Sequence, residues 1–241
     1  MAVRHGILQL WPDIQNLLKN NREVLFLMMN LNNKKRKMIL EKWEISILPV
    51  EKQIVRIFEK VRDIPFGNCG SRDPFDVFER NKGTCSGKNF LLRELFKATE
   101  VETRDMICLQ RWKDLTWFPD DIYGTVNFPE DLKGFLEKEE IIDFHNYVTI
   151  KKGSKWIRVD ATIDFPLRKL GFYTTKDWDG KTDMPLCFVG TDKIWDCGND
   201  GSEKKTELTA QLPERIQNTR KEFLKRITAW IDEWRKDQNQ I

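Results

Sequence analysis

The amino-acid sequence predicts an α+β fold in which helices flank a small antiparallel sheet. Three observations carry that expectation. Apolar residues recur at helical spacing through much of the first sixty positions. Short runs rich in β-branched and aromatic residues follow in the middle, two of them joined by a glycine-containing turn. A long amphipathic stretch closes the chain. The expected organisation is an N-terminal helical region over 1–60, a mixed core over 61–195, and a connector with a C-terminal helix packing on the core over 196–241.

Taken in order, the pattern from about Ile7 to Lys60 is helical. Ile54, Ile57, Phe58 and Val61 mark one face, with Lys52, Arg56, Glu59 and Lys60 between them. The basic cluster Lys34-Lys35-Arg36-Lys37 reads as a solvated turn or helix face. Ile64-Pro65-Phe66-Gly67 breaks the helix, and Asp73-Pro74-Phe75 opens a short one. After Gly83-Thr84-Cys85-Ser86-Gly87, the residues Phe90, Leu91, Leu95 and Ala98 predict another helix. A strand is expected over Met106–Trp112, then a polar and aromatic loop through Tyr123. Strands His145–Ile150 and Trp156–Asp160 follow, and a short one at Leu186–Gly190. Asp196–Lys205 reads as a mobile connector. From Pro213 onward, Ile216, Phe223, Ile227, Trp230, Ile231 and Trp234 define the apolar face of the last helix.

Composition narrows the function classes. Nine tryptophans and fifteen phenylalanines indicate a packed interior, and 40% hydrophobic with 33% charged residues is ordinary for a globular protein. The net charge of +3 gives no drive toward nucleic acid, and the greasiest stretch, Val24–Leu31, is too short to span a bilayer. Neither a nucleic-acid nor a membrane partner is expected. Met1–Leu10 lacks the apolar run of a secretory signal, and five scattered cysteines do not suggest a disulfide framework. A cytoplasmic setting with reduced thiols is the expectation.

Three residues suggest chemistry. A thiol becomes a good nucleophile when its pKa falls, and a helix N-terminus lowers it through its free amides and dipole. Thr84 as N-cap would place Cys85 at the first helical position, with the Cys85 amide a candidate oxyanion donor. Gly83 and Gly87 would leave room for a substrate to approach the backbone. Histidine is the usual base for a cysteine nucleophile. His5 and His145 are the choices; His5 lies near the terminus, whereas His145 starts a strand. The residues 151–155 form a natural hairpin connection between the strands His145–Ile150 and Trp156–Asp160. A four-residue loop sets Asp160 opposite His145, and a two-residue loop at Gly153-Ser154 sets it on the diagonal; both keep the pair on one face. Asp160 would orient the imidazole; Asp143 and Asp164 are rivals more simply explained as loop carboxylates.

Together these segments resemble the transglutaminase-like superfamily of cysteine enzymes. Gly83-Thr84-Cys85 is similar to its nucleophile motif. The His145 strand and Trp156-Ile157-Arg158-Val159-Asp160-Ala161-Thr162 are similar to its histidine and aspartate motifs, in the same order. The resemblance covers about residues 61–165 and departs at Asn146-Tyr147, where many members carry a small residue and tryptophan. It implies a papain-like core, a nucleophile helix packed on an antiparallel sheet. It also implies thioester chemistry on a protein, peptide or amide substrate, by Cys85, His145 and Asp160. The deglycosylating branch of that superfamily usually adds a paired-cysteine zinc site. Here Cys187 and Cys197 are ten apart, Cys69 and Cys108 stand alone, and no nearby histidine is expected to complete a set. No metal or cofactor is expected. The competing class is a non-catalytic interaction domain that keeps the fold, with Trp11, Trp43, Trp230 and Trp234 as partner surfaces if they are not core.

Overall fold

In the computed structural model, which describes residues 22–116, 126–187 and 193–238, four strands form one antiparallel sheet. They are β1 (Thr103–Arg111), β2 (Ile142–Lys152), β3 (Lys155–Val159) and β4 (Ile194–Asp196), in the spatial order β3-β2-β1-β4. The helices are α1 (Arg22–Lys42), α2 (Val50–Arg62), α3 (Pro74–Arg80), α4 (Cys85–Ala98), α5 (Glu130–Lys138), α6 (Gly201–Ala210) and α7 (Glu214–Gln238). The described residues as far as Ser46 form one compact unit and those from Ile47 a second. The first unit contains α1, with Lys34 and Lys37 of the basic cluster exposed on it. Everything that follows belongs to the second.

Local chemistry accounts for most elements. In α2 the predicted face Ile54, Ile57, Phe58 and Val61 is fully buried. Asp73 caps α3 by accepting from the amides of Phe75 and Asp76, and Pro74 occupies the first turn, where no amide is needed. The β2–β3 hairpin closes through Gly153-Ser154, with Lys152 paired to Lys155 and Gly153 at φ +60°. Such two-residue turns need a left-handed residue, which glycine supplies without strain. The shorter of the two foreseen loops is thus the one formed.

Helix α4 packs against α2, α3 and the strands β1 and β2. Helix α7 closes the other part of the core. Its Phe223, Ile227 and Ile231 are wholly buried among Trp112, Phe128, Leu132 and Leu136. Phe223 meets Trp112 and Phe128 with ring centroids 5.0 and 6.5 Å apart. Trp230 packs on Phe128 and Phe172, and Trp234 lies against the same cluster, so both serve the core.

The second half departs from expectation in two places. Leu186 and Cys187 lie outside any strand, and 188–190 lie outside the described residues. The fourth strand is instead Ile194–Asp196 on the open edge of β1. The stretch read as a mobile connector, Asp196–Lys205, forms the end of that strand and the first half of α6. The physical reason is docking. The buried carboxylate of Asp105 in β1 accepts the amide of Gly201 at 3.1 Å and pairs with Arg93 of α4. A Cβ on Gly201 would lie 2.7 Å from Asp105, so only glycine fits there. His5, Trp11 and the loop positions 117–123 lie outside the described residues.

Candidate active site

Cys85 is the first residue of α4, preceded by Thr84 in extended conformation (φ −82°, ψ 178°). Thr84 is the N-cap residue by position, but its side chain makes no capping bond. What fixes the helix start is backbone. The amide of Gly67 donates to the Gly83 carbonyl, and the amide of Gly83 to the Pro65 carbonyl, both at 3.1 Å. The glycines that flank the thiol do not make room for a substrate. A Cβ on Gly83 or Gly87 would lie 2.8 or 2.5 Å from a Val77 methyl, so the space they leave is filled by α3. Cys85 is 7% exposed and lines a cleft of about 390 Å³ with Phe66, Asn68, Trp112, Asp143, Lys205 and Arg220 among its walls.

His145 sits in β2 directly opposite Cys108 of β1 and is completely buried. Val148 pairs with Val159, so Asp160, the next residue after β3, is reached along the diagonal from His145. The His145 Nε2 to Asp160 Oδ2 distance is 2.8 Å. Asp160 is held at both oxygens: Oδ2 also accepts the Cys187 amide at 3.0 Å, and Oδ1 accepts the Thr162 amide at 3.0 Å. Asn89, one turn along α4 from Cys85, binds the whole group together. Its Nδ2 lies within 3.0 Å of the Cys85 and Asn146 carbonyls and of Thr162 Oγ1, and its Oδ1 accepts the Ala161 amide. Sequence reasoning missed Asn89; its position at i+4 from the thiol was the available signal.

A second charged group lies beside the thiol. Lys205 of α6, 2% exposed, places Nζ 3.5 Å from Cys85 Sγ and 3.8 Å from Asp143 Oδ1. Asp143 in turn accepts from Arg220 Nε of α7 at 2.7 Å. Asp143 is therefore a buried partner of two cations rather than a loop carboxylate. Asp164 accepts the Phe66 amide at 2.7 Å and Arg235 at 2.6 Å, which ties α7 to the lead-in of the nucleophile helix. Neither rival of Asp160 is paired with His145.

These surroundings shift the titrations. Burial opposes the Cys85 thiolate, but the Lys205 ammonium, then the hydrogen bond and charge of His145, outweigh it and bring the thiol from 9 to about 6. For His145, burial opposes the charged ring; the charge and hydrogen bond of Asp160, then those of Cys85, lift it to about 9. Asp160 is buried yet held well below the usual carboxylate range by His145. Burial pushes Cys108 to about 12, Cys197 to about 11 and Cys187 well above the ordinary thiol value.

No protein-family model matches this chain, and no curated protein does. Among solved structures, it is similar to a candidate cysteine protease from Cytophaga hutchinsonii, with 19% identity and a TM-score of 0.37. That alignment covers 58% of this chain and 40% of the other, so this chain spans less than half of that structure's length.

One expectation about ligands needs correction. Cys187 does have a histidine beside it: its Sγ is 3.8 Å from His145 Nε2. His145, Asp160 and Cys187 offer three ligand atoms within 4.8 Å of one another, a set that could hold a cation such as zinc. The same Nε2 and carboxylate oxygen form the His145–Asp160 hydrogen bond, so a cation there would replace that bond. No helix among the described residues is long and apolar enough to cross a membrane.

Proposed function

We propose that this chain is a thiol enzyme with a transglutaminase-like, papain-like core that acts on an amide or peptide carbonyl. The observation that carries this reading is the line Cys85–His145–Asp160: a cleft-lining thiol whose titration a buried imidazole helps to lower, the Nε2 of that imidazole being held by a carboxylate at 2.8 Å. With Nε2 taken by Asp160, Nδ1 exchanges the proton with the thiol. The Cys85 thiolate adds to the carbonyl carbon, and the Cys85 amide at the start of α4 donates to the oxyanion. The imidazolium then protonates the departing amine as the carbon–nitrogen bond breaks, leaving a thioester on Cys85. Water, deprotonated by the neutral imidazole, or a second amine resolves the thioester and returns the thiol.

The test is turnover and acyl-enzyme mass with a library of peptide and carboxamide substrates. Cys85→Ala should lose at least about a thousandfold in rate with a melting temperature close to wild type. Full turnover in that variant would sink the proposal. A wild-type protein that forms no acyl adduct with any substrate, and whose Cys85 alkylates no faster than Cys69, would favour the interaction-domain alternative.

A further inference from the structure

The triad leaves the buried Lys205 beside the thiol unexplained. Lys205 is almost wholly enclosed, 2% exposed, with Nζ 3.5 Å from the reacting sulfur. An ammonium is seldom enclosed without a purpose or a full partner. Its carboxylate neighbour, Asp143, is at 3.8 Å and makes its closer bond, 2.7 Å, with Arg220. The lysine is also placed by a dedicated construction. The α6 N-terminus is pinned to β1 by the Asp105–Gly201 bond and to α4 by Arg93, which donates to the Asn199 carbonyl at 2.9 Å. One helical turn later, that anchorage delivers Lys205 to the thiol and Leu208 to the core.

We propose that Lys205 is a fourth catalytic residue, a fixed positive charge that holds the Cys85 sulfur as thiolate both before attack and when the thioester breaks down. This rests on Cys85 being the nucleophile. The imidazolium supplies one charge beside the sulfur, but it is spent when its proton goes to the departing amine. In the second half-reaction, sulfur leaves the tetrahedral intermediate as thiolate while His145 holds the proton it has taken from water. The Lys205 ammonium, 3.5 Å from the sulfur, adds a second positive charge that stabilises the electron pair returning to sulfur at that moment. The titratable groups that interact with the sulfur are Lys205 from α6, His145 and Asp143 from β2, Cys108 from β1, Arg220 from α7 and Cys187.

The experiment is the pH dependence of iodoacetamide alkylation, mapped to each cysteine by peptide mass spectrometry. It uses the full chain as wild type, Lys205→Met, Lys205→Arg and His145→Ala, with circular dichroism to verify folding. Wild-type Cys85 should alkylate with a midpoint near 6. Lys205→Met should raise that midpoint by about one to two units, with roughly a tenfold slower reaction at pH 6.5, and Lys205→Arg should keep most of the shift. A folded Lys205→Met with an unchanged midpoint, while His145→Ala loses it, overturns the role of Lys205 and leaves the triad standing. A wild-type Cys85 that reacts like Cys197 overturns both. Should Lys205→Met fail to fold, Asp143→Asn reads the same field with the opposite sign. Removing that negative charge should lower the Cys85 midpoint, and an unmoved midpoint overturns the proposal.

Discussion

Five thiols share this chain, and their surroundings set them apart more than their chemistry does. Cys108 and Cys187 are as buried as Cys85, but burial and the Asp160 charge push their thiols upward. Cys85 has the Lys205 ammonium 3.5 Å from its sulfur, and the charges of Lys205 and His145 move its thiol the other way. The sign of the pH dependence follows. The Cys85 thiolate fraction grows as pH rises through about 6, and the imidazolium is lost as pH rises through about 9. The ion pair therefore fills the window between those values. Asp160→Asn removes the charge that lifts His145 while leaving an oxygen for its N–H. The imidazole titration, followed by NMR, should then fall from about 9 toward its ordinary value, by at least about one unit. An unmoved titration would mean that Asp160 orients His145 without setting its charge.

At the scale of elements, the fit of α3 against α4 is what aims the thiol. Val77 projects into the space left by Gly83 and Gly87, so two glycines beside the nucleophile serve helix packing. Gly87→Ala gains about 1 kcal/mol of helix propensity but drives a Cβ to 2.5 Å from Val77 Cγ2. The expected net result is a loss of about 1–2 kcal/mol in denaturant unfolding. Combined with Val77→Ala, the penalty should shrink, with an interaction energy of at least about 0.5 kcal/mol in the double-mutant cycle. Strict additivity would place the origin of the glycine requirement elsewhere. The hairpin works at the same scale. A two-residue turn with Gly153 at positive φ keeps Asp160 on the His145 face, and pairing fixes that register from Val148–Val159 onward.

For the molecule as a whole, the last helix is a structural requirement of the site. Phe223, Ile227 and Ile231 seal one core, Arg220 reaches Asp143 at the thiol, and Arg235 holds Asp164 and the Phe66 carbonyl. Phe223→Ala removes a fully buried ring that meets Trp112, Phe128 and Phe135. Its expected cost is about 3–5 kcal/mol, measurable as a lower denaturant midpoint with little change in slope. A cost under about 1 kcal/mol would show that α7 is not integral to the core.

Features that depend on neighbours in sequence were legible in the sequence. The capped start of α3, the amphipathic faces of α2 and α7, and the hairpin parity that sets His145 and Asp160 on one face all follow from spacing and turn chemistry. So does Cys85 at the first position of its helix. Lys205 was not legible: it lies 120 residues from the thiol, in a polar segment whose sequence alone does not distinguish a docked helix from a connector. Only the docking of Gly201 on Asp105 makes that segment a helix whose lysine faces sulfur. The same holds for the Asp143–Arg220 pair, the Asn89 bridge and the nearness of Cys187 to His145. The sequence by itself determined which groups could do chemistry and which local elements carry them, because turns, caps and strand parity are set within a few residues. The tertiary structure decided which charges surround the thiol, because burial and partners separated by tens of residues exist only once the helices have packed on the sheet.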